Sequence, residues 1–276
     1  MRFFKFIVSH FFGVLQFVIP FFDKENHMPD IHAFLSASTA HRWIPCPPSA
    51  RLCEKIPEMK SSYTEEGSEA HALGEFKIKT AFKEPCTDPR MYFKFYNEEM
   101  EECAKKYSEF VINTYKSLEN AVIYTEKKVD FSKWVPEGFG TADCIIATYD
   151  TLNIIDYKHG LGVLVDAAYN PQMMCYALGA LEMFNTYNIQ NVNMTIFQPR
   201  RNNISKFSMS KNDLIHWADN KLKVFAELAF KGKGEYKSGS WCFFCKGKDI
   251  CPLKNNSTAL KNYETNLSSQ LGDFLN

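Results

Sequence analysis

With 276 residues the chain is long enough to bury a core and to form one or two domains. Apolar residues at 45% and aromatics at 15% exclude a disordered chain. Thirty-two basic residues balance 32 acidic ones, which excludes a uniformly cationic nucleic-acid coat, so any nucleic-acid contact has to come from charge placed locally in a groove.

Residues 1–22 are apolar behind Arg2 and Lys5, the pattern of a signal or anchor segment. His10 and Pro20 interrupt it, no small-x-small cleavage site follows, and Met28 opens MPDIHAFLSAS in the manner of a natural start. The expected division is an extension over 1–27, one domain over 28–255 and a tail over 256–276, with a membrane role disfavoured and a tethered protein as the alternative.

Ser36 and Ser38 are placed to cap a short helix that the prolines at 45–48 stop, leaving Cys46 at its end. A helical pattern over about 62–83 puts His71 and Glu75 on one face, and a second over about 97–118 has Met100, Ala104, Tyr107, Phe110, Val111 and Leu118 as its apolar stripe. Strands are expected over 121–129, 139–149 and 152–158, the last two joined by a hairpin at Tyr149, Asp150 and Thr151. A helix over 171–184, strands over 192–198 and near 205–208, and a helix from Lys211 to about Phe230 capped by Ser210 complete the order. The class is α/β, with a mixed sheet flanked by helices.

Side chains two apart on a strand share a face, so Asp156 and Lys158 emerge together while Tyr157 points away, and the hairpin lays Asp143 beside Asp156. Converging carboxylates suit Mg2+ or Mn2+ as a cofactor for phosphodiester hydrolysis, and Lys158 supplies a fixed positive charge. His71 can complete the shell, and Glu126 can add a third carboxylate from the neighbouring strand. Gln172 and Tyr176, four apart on a helix, reach the same cleft. The plainer reading of the Asp-x-Lys triplet, a cross-strand salt bridge, stays open at this level.

In this order, the pieces resemble the RecB-like branch of the PD-(D/E)XK nucleases: an upstream His (His71), a G-x-x-D strand (Gly140, Asp143), a D-x-K strand (Asp156, Lys158) and a Q-x-x-x-Y helix (Gln172, Tyr176). The resemblance implies a restriction-endonuclease-like core. In it His71, Asp143, Asp156 and the carbonyl of Tyr157 bind metal, Lys158 is the catalytic lysine, and Gln172 and Tyr176 line the site on the DNA side.

Nine cysteines in an odd, scattered set do not form a secreted disulfide framework and fit a reducing cytoplasm. WCFFCKGKDIC sets Cys242, Cys245 and Cys251 at C-x2-C-x5-C, and Cys46 is the leading fourth ligand. One cysteine upstream and three downstream resembles the arrangement that RecB-like nucleases of the AddB and CRISPR-associated type use for a four-iron four-sulfur (4Fe-4S) cluster, which would close the two ends of the domain together. Zinc is the alternative. Cys53, Cys86, Cys103, Cys144 and Cys175 read as ordinary buried or half-buried thiols. From Leu35 to Cys251 the chain also resembles a phage- and prophage-associated family of uncharacterised RecB-like proteins, through LSAS-x-x-HRW-x-x-CPPSA and DYK-x-G.

Arg200, Arg201 and Lys206 are placed to hold backbone phosphates, or form a solvated basic turn. Trp43, Trp134 and Trp241 are stacking platforms or core residues. The expected function is that of a deoxyribonuclease, an exonuclease or end-processing enzyme of phage replication or recombination, with DNA and phage recombination or replication proteins as partners. A catalytically silent nucleic-acid-binding module of the same fold is the alternative.

Overall fold

The computed structural model describes residues 33–57 and 61–254. The expected N-terminal extension and the tail lie outside the described residues. Among these residues no helix is long and apolar enough to cross a membrane.

Five strands form one mixed sheet in chain order: β1 (Val122–Asp130), β2 (Phe139–Ala147), β3 (Thr151–Tyr157), β4 (Asn191–Gln198) and β5 (Asn203–Ser210). Only β3 and β4 run parallel. They are joined by the one long crossover of the sheet, whose helix (Pro171–Met183) starts at Asn170, a cap that accepts from the N–H groups of Gln172 and Met173.

One sheet face is covered by two long helices, Ser62–Ala81 and Glu98–Lys116, capped by Ser61 and Asn97. Ile123, Cys144, Ile146, Ile155, Tyr157 and Phe197 meet Leu73, Met100, Tyr107 and Val111 there. Burying the large side chains of such a layer contributes roughly 1.5–3 kcal/mol each. The opposite face packs under three elements. The first is the short segment Ala40–Trp43, which a 3-10 turn at Ala37–Thr39 precedes; the second is the crossover helix. The third runs Lys211–Trp217 and Lys223–Phe230 with a π-helical turn, Ala218–Leu222, between them.

We number the helices α1 (Ala40–Trp43), α2 (Ser49–Glu54), α3 (Ser62–Ala81), α4 (Glu98–Lys116), α5 (Pro171–Met183), α6 (Lys211–Trp217) and α7 (Lys223–Phe230). Ser36 does not cap by its side chain as expected: its hydroxyl bonds those of Ser38 (3.1 Å) and Thr39 (2.9 Å) instead.

The strict alternation of the sheet fails at one place. On β2, Ile145 and Ala147 face α5, and a period of two would send Ala142 to the other side, yet Ala142 also packs on the α5 face. On β1 the same change of phase separates Val122 from Val129. Between these halves Glu126 has φ +44°, in the left-handed region, and the β1–β2 ladder skips Glu126 and Asp143 without changing register. A non-glycine residue held there costs about 1–3 kcal/mol and persists only where its surroundings impose it.

Candidate metal site and cysteine cavity

The β2–β3 ladder ends at Cys144 and Ile155, so the strands part as they reach Asp143 and Asp156. In the fork the Asp143 carboxylate replaces the missing backbone acceptor: Oδ2 takes the N–H of Tyr157 at 2.6 Å. In a strand a residue's N–H and C=O share an edge, which turns the Tyr157 carbonyl toward Asp143 as well. From α3, His71 Nδ1 reaches Asp143 Oδ1 at 3.4 Å and Glu126 Oε1 at 3.5 Å. His71, Glu126 and Asp143 thus present three ligand atoms within 4.8 Å of one another. Glu75, read as sharing the α3 face with His71, pairs with Lys79.

Asp156 and Lys158 share the α5 side as the strand period requires, with Lys158 Nζ 2.9 Å from Asp156 Oδ2. Gln172 links the group: its Oε1 accepts from Lys158 Nζ (3.1 Å), and its amide donates to Asp156 Oδ1 (3.3 Å) and to the Tyr176 hydroxyl (3.1 Å). Tyr176 lies against Gly140, where a Cβ would sit 2.8 Å from its ring. That contact is the physical reason for glycine three residues before Asp143.

The electrostatics follow from burying several charges together. Burial works against the His71 imidazolium, but the charge and hydrogen bond of Asp143 and those of Glu126 prevail and raise its pKa well above the ordinary value. Burial pushes Asp143 up most strongly, but the charge and hydrogen bond of His71, the Lys158 charge and the Tyr157 N–H together outweigh it, so the carboxyl ends lower. Glu126 is raised by burial, only partly offset by His71. Burial lifts Asp156 to about 6 against the pull of Lys158, with the Asp143 charge adding to the rise. Lys158 loses by burial and gains more from Asp156 and Asp143, so it is held more firmly protonated.

Behind the site stands a network that the sequence did not suggest. The Tyr157 ring stacks on Tyr107 (4.5 Å, 7°) and lies 5.3 Å from the His71 ring. Its hydroxyl meets His159 Nδ1 at 3.1 Å, and His159 Nε2 meets Glu66 at 3.4 Å. Arg200 closes the chain, with Nη1 on Glu66 at 3.1 Å and a two-pronged contact with Glu99 at 3.1 and 2.9 Å.

Arg200 therefore departs from the expected phosphate contact: two helices supply its anions and leave its side chain 14% exposed. Arg201 stays half-exposed, its guanidinium 3.4 Å from the Leu161 carbonyl, and Lys206 is exposed on β5, 5.4 Å from the Phe110 ring. Trp43 and Trp134 are core residues rather than stacking platforms, with their indoles bonded to Ser36 O and Asp219. Trp241 lines the cysteine cavity.

That cavity is bounded by Cys46, Cys242, Cys245 and Cys251 together with Tyr236 and Trp241. The N–H groups of Lys237 and Gly239 point at the sulfurs of Cys46 and Cys242, each at 3.4 Å. Among the described residues no three of these sulfurs lie within 4.8 Å of one another. Cys53, expected to be an ordinary thiol, stands beside them, 3.6 Å from Cys245 sulfur to sulfur. The Cys245 contact and the Arg42 charge overcome burial and bring the Cys53 thiol down to about 6. Cys103, Cys144 and Cys175 are buried as expected, whereas Cys86 is exposed rather than buried or half-buried.

A solved structure titled "Crystal structure of SSO0001" is similar over 68% of this chain and 98% of that one, at 15% identity and a TM-score of 0.31. Residues 32–274 match the sequence model of a family described as "Protein of unknown function (DUF2800)". This span takes in every described element of the fold, the His71–Glu126–Asp143 group and the cysteine cavity, and the chain belongs to that family.

Proposed function

We propose that the protein is a metal-dependent deoxyribonuclease with a restriction-endonuclease-like PD-(D/E)XK core of the RecB-like kind, acting on DNA ends in phage replication or recombination. The observation that carries this reading is the fork between β2 and β3, which gathers His71, Glu126 and Asp143 within ligand distance beside the Asp156–Lys158–Gln172 cluster.

The donor set fits a hard divalent cation. Carboxylate oxygens and one imidazole converge, and buried Asp156 Oδ2 has Lys158 nearby but accepts no well-directed hydrogen bond. His71, Glu126, Asp143, Asp156 and the Tyr157 carbonyl would hold Mg2+ or Mn2+. Such a cation supplies Lewis-acid activation of a phosphodiester and of water.

The chain's own groups then divide the remaining work. Lys158, kept charged by Asp156 and Asp143, orients a water molecule and offsets negative charge that develops on the phosphate. Gln172 and Tyr176 fix the lysine's direction. His159 and Glu66 hold the Tyr157 ring against His71, and so keep the imidazole aimed into the fork. Arg201 and Lys206 remain the basic side chains placed to meet a backbone.

At the other end of the domain, Cys46, Cys242, Cys245 and Cys251 are proposed to hold a 4Fe-4S cluster. The two N–H···S contacts suit thiolate ligands. Soft all-thiolate ligation also suits zinc, which is the alternative, and iron and zinc analysis of the isolated protein distinguishes the two.

With Mn2+, the purified chain is expected to degrade end-labelled linear DNA. Lys158→Ala should lose about 10²–10³-fold in rate while keeping its far-ultraviolet circular dichroism. Undiminished cleavage by that variant would remove Lys158 from the mechanism. DNA binding without cleavage under any divalent ion would leave the silent binding module as the function.

A further inference from the structure

We propose that Cys53 and Cys245 are a redox-active dithiol that closes to a disulfide whenever Cys245 is not serving as a ligand. Their sulfurs are 3.6 Å apart across 192 positions of sequence, and both residues are buried. Arg42 Nη1 donates to the Cys53 sulfur at 3.1 Å and is fixed by the Ser49 carbonyl (2.7 Å) and hydroxyl (3.1 Å), so a positive charge stands where an attacking sulfur needs one.

The two backbones are pressed together by close packing. A Cβ on Gly247 would lie 2.7 Å from Leu52 and 3.5 Å from the Cys53 sulfur, so the turn that carries Cys245 rests directly on α2. Cys53 is outside the four-cysteine set proposed above, and no other role for it follows from that set.

The oxidant that fits a buried pair is hydrogen peroxide. The Cys53 sulfur attacks one peroxide oxygen; the S–O bond forms as the O–O bond breaks, and hydroxide leaves. The Cys245 sulfur attacks Cys53, the S–S bond forms, and the oxygen departs as water. Two thiols and one peroxide give one disulfide and two waters. Because a sulfur in a disulfide cannot ligate, the pair would set whether the cysteine site can be loaded. That last consequence rests on the proposed ligand role of Cys245, whereas the pairing rests on the contact alone.

The full chain is treated with hydrogen peroxide as isolated and, separately, after its cysteine-bound metal is stripped by a chelator without oxygen. Free thiols are then alkylated and the peptides mapped by mass spectrometry without reduction. A Cys53–Cys245 linked peptide is expected in the stripped protein, absent from the loaded one and lost with dithiothreitol. Cys53→Ser should abolish it with bound metal unchanged. Linkage of Cys245 to Cys46, Cys242 or Cys251, a Cys53 that stays alkylatable throughout, or loss of metal from Cys53→Ser would overturn the proposal. A chain isolated with neither iron nor zinc would overturn the ligand role only, and the linked peptide in that chain would still decide the pairing.

Discussion

The two sites of this protein are built in opposite ways. In the fork of the sheet the protein already holds its candidate ligands: Asp143 by the Tyr157 N–H, Asp156 by Lys158 and Gln172, and His71 by two carboxylates. Around the cysteine cavity the scaffold is a six-residue helix and two 3-10 turns, Ser240–Cys242 and Lys246–Ile250, and the sulfurs of Cys46 and Cys242 have backbone N–H contacts of 3.4 Å. Sheet hydrogen bonds preorganise the first site, whereas the second has few of them, so the cluster proposed there would itself supply folding free energy.

The largest effect that tests this contrast is removal, under reducing conditions, of the group proposed to be bound by the cysteines. Thiolate ligation of a structural metal is worth on the order of 10 kcal/mol. Amide hydrogen exchange over 236–254 and in α1 and α2 should therefore rise to near the unprotected rate. Stripping divalent ions from the fork should leave protection of β2 and β3 as it was. Equal loss of protection at both sites would erase the distinction.

A smaller effect isolates the one strained residue of the fork. Glu126 stands at φ +44° and carries a carboxyl raised by burial, so the fold bears two costs to place this proposed ligand. Glu126→Gly removes both, and the metal-free chain should gain about 1 kcal/mol in urea unfolding. Mn2+ binding by the same variant should weaken at least about tenfold, roughly 1.4 kcal/mol. A variant that loses stability without metal would show that the left-handed backbone is not a cost incurred for the site.

How much of this was legible in the sequence follows from the range of each interaction. Local periodicity is enough to pair Asp156 with Lys158 and Gln172 with Tyr176, because strand and helix repeats alone set which side chains share a face. It fails at Glu126, where the backbone turns left-handed inside a strand of ordinary composition and the faces exchange. It fails again at Arg200, a basic residue in a turn whose anions, Glu66 and Glu99, come from helices about a hundred or more positions upstream. Cys53 escapes periodicity for the same reason: only the docking of the C-terminal turn on α2 gives it a second sulfur as neighbour.

The smallest effect is a count of protons. His71, Glu126 and Asp156 all have folded pKa values above their unfolded ones, the last at about 6. Their contribution to the stability of the metal-free chain is therefore fullest below the unfolded values and is lost as pH rises through the folded ones. Asp143, which is lowered, acts in the opposite sense: its contribution is present above the unfolded carboxylate value and is lost as pH falls through the folded one. A cation needs neutral imidazole and ionised carboxylates, so it must expel the protons that the three raised groups retain. Mn2+ titrations by calorimetry near pH 6, repeated in buffers of different ionisation enthalpy, should show net proton release, and affinity should climb with pH as Asp156 and His71 deprotonate. Binding without proton release would mean that the ion sits away from these groups, and the fork would then be a salt-bridge cluster closing the end of the sheet.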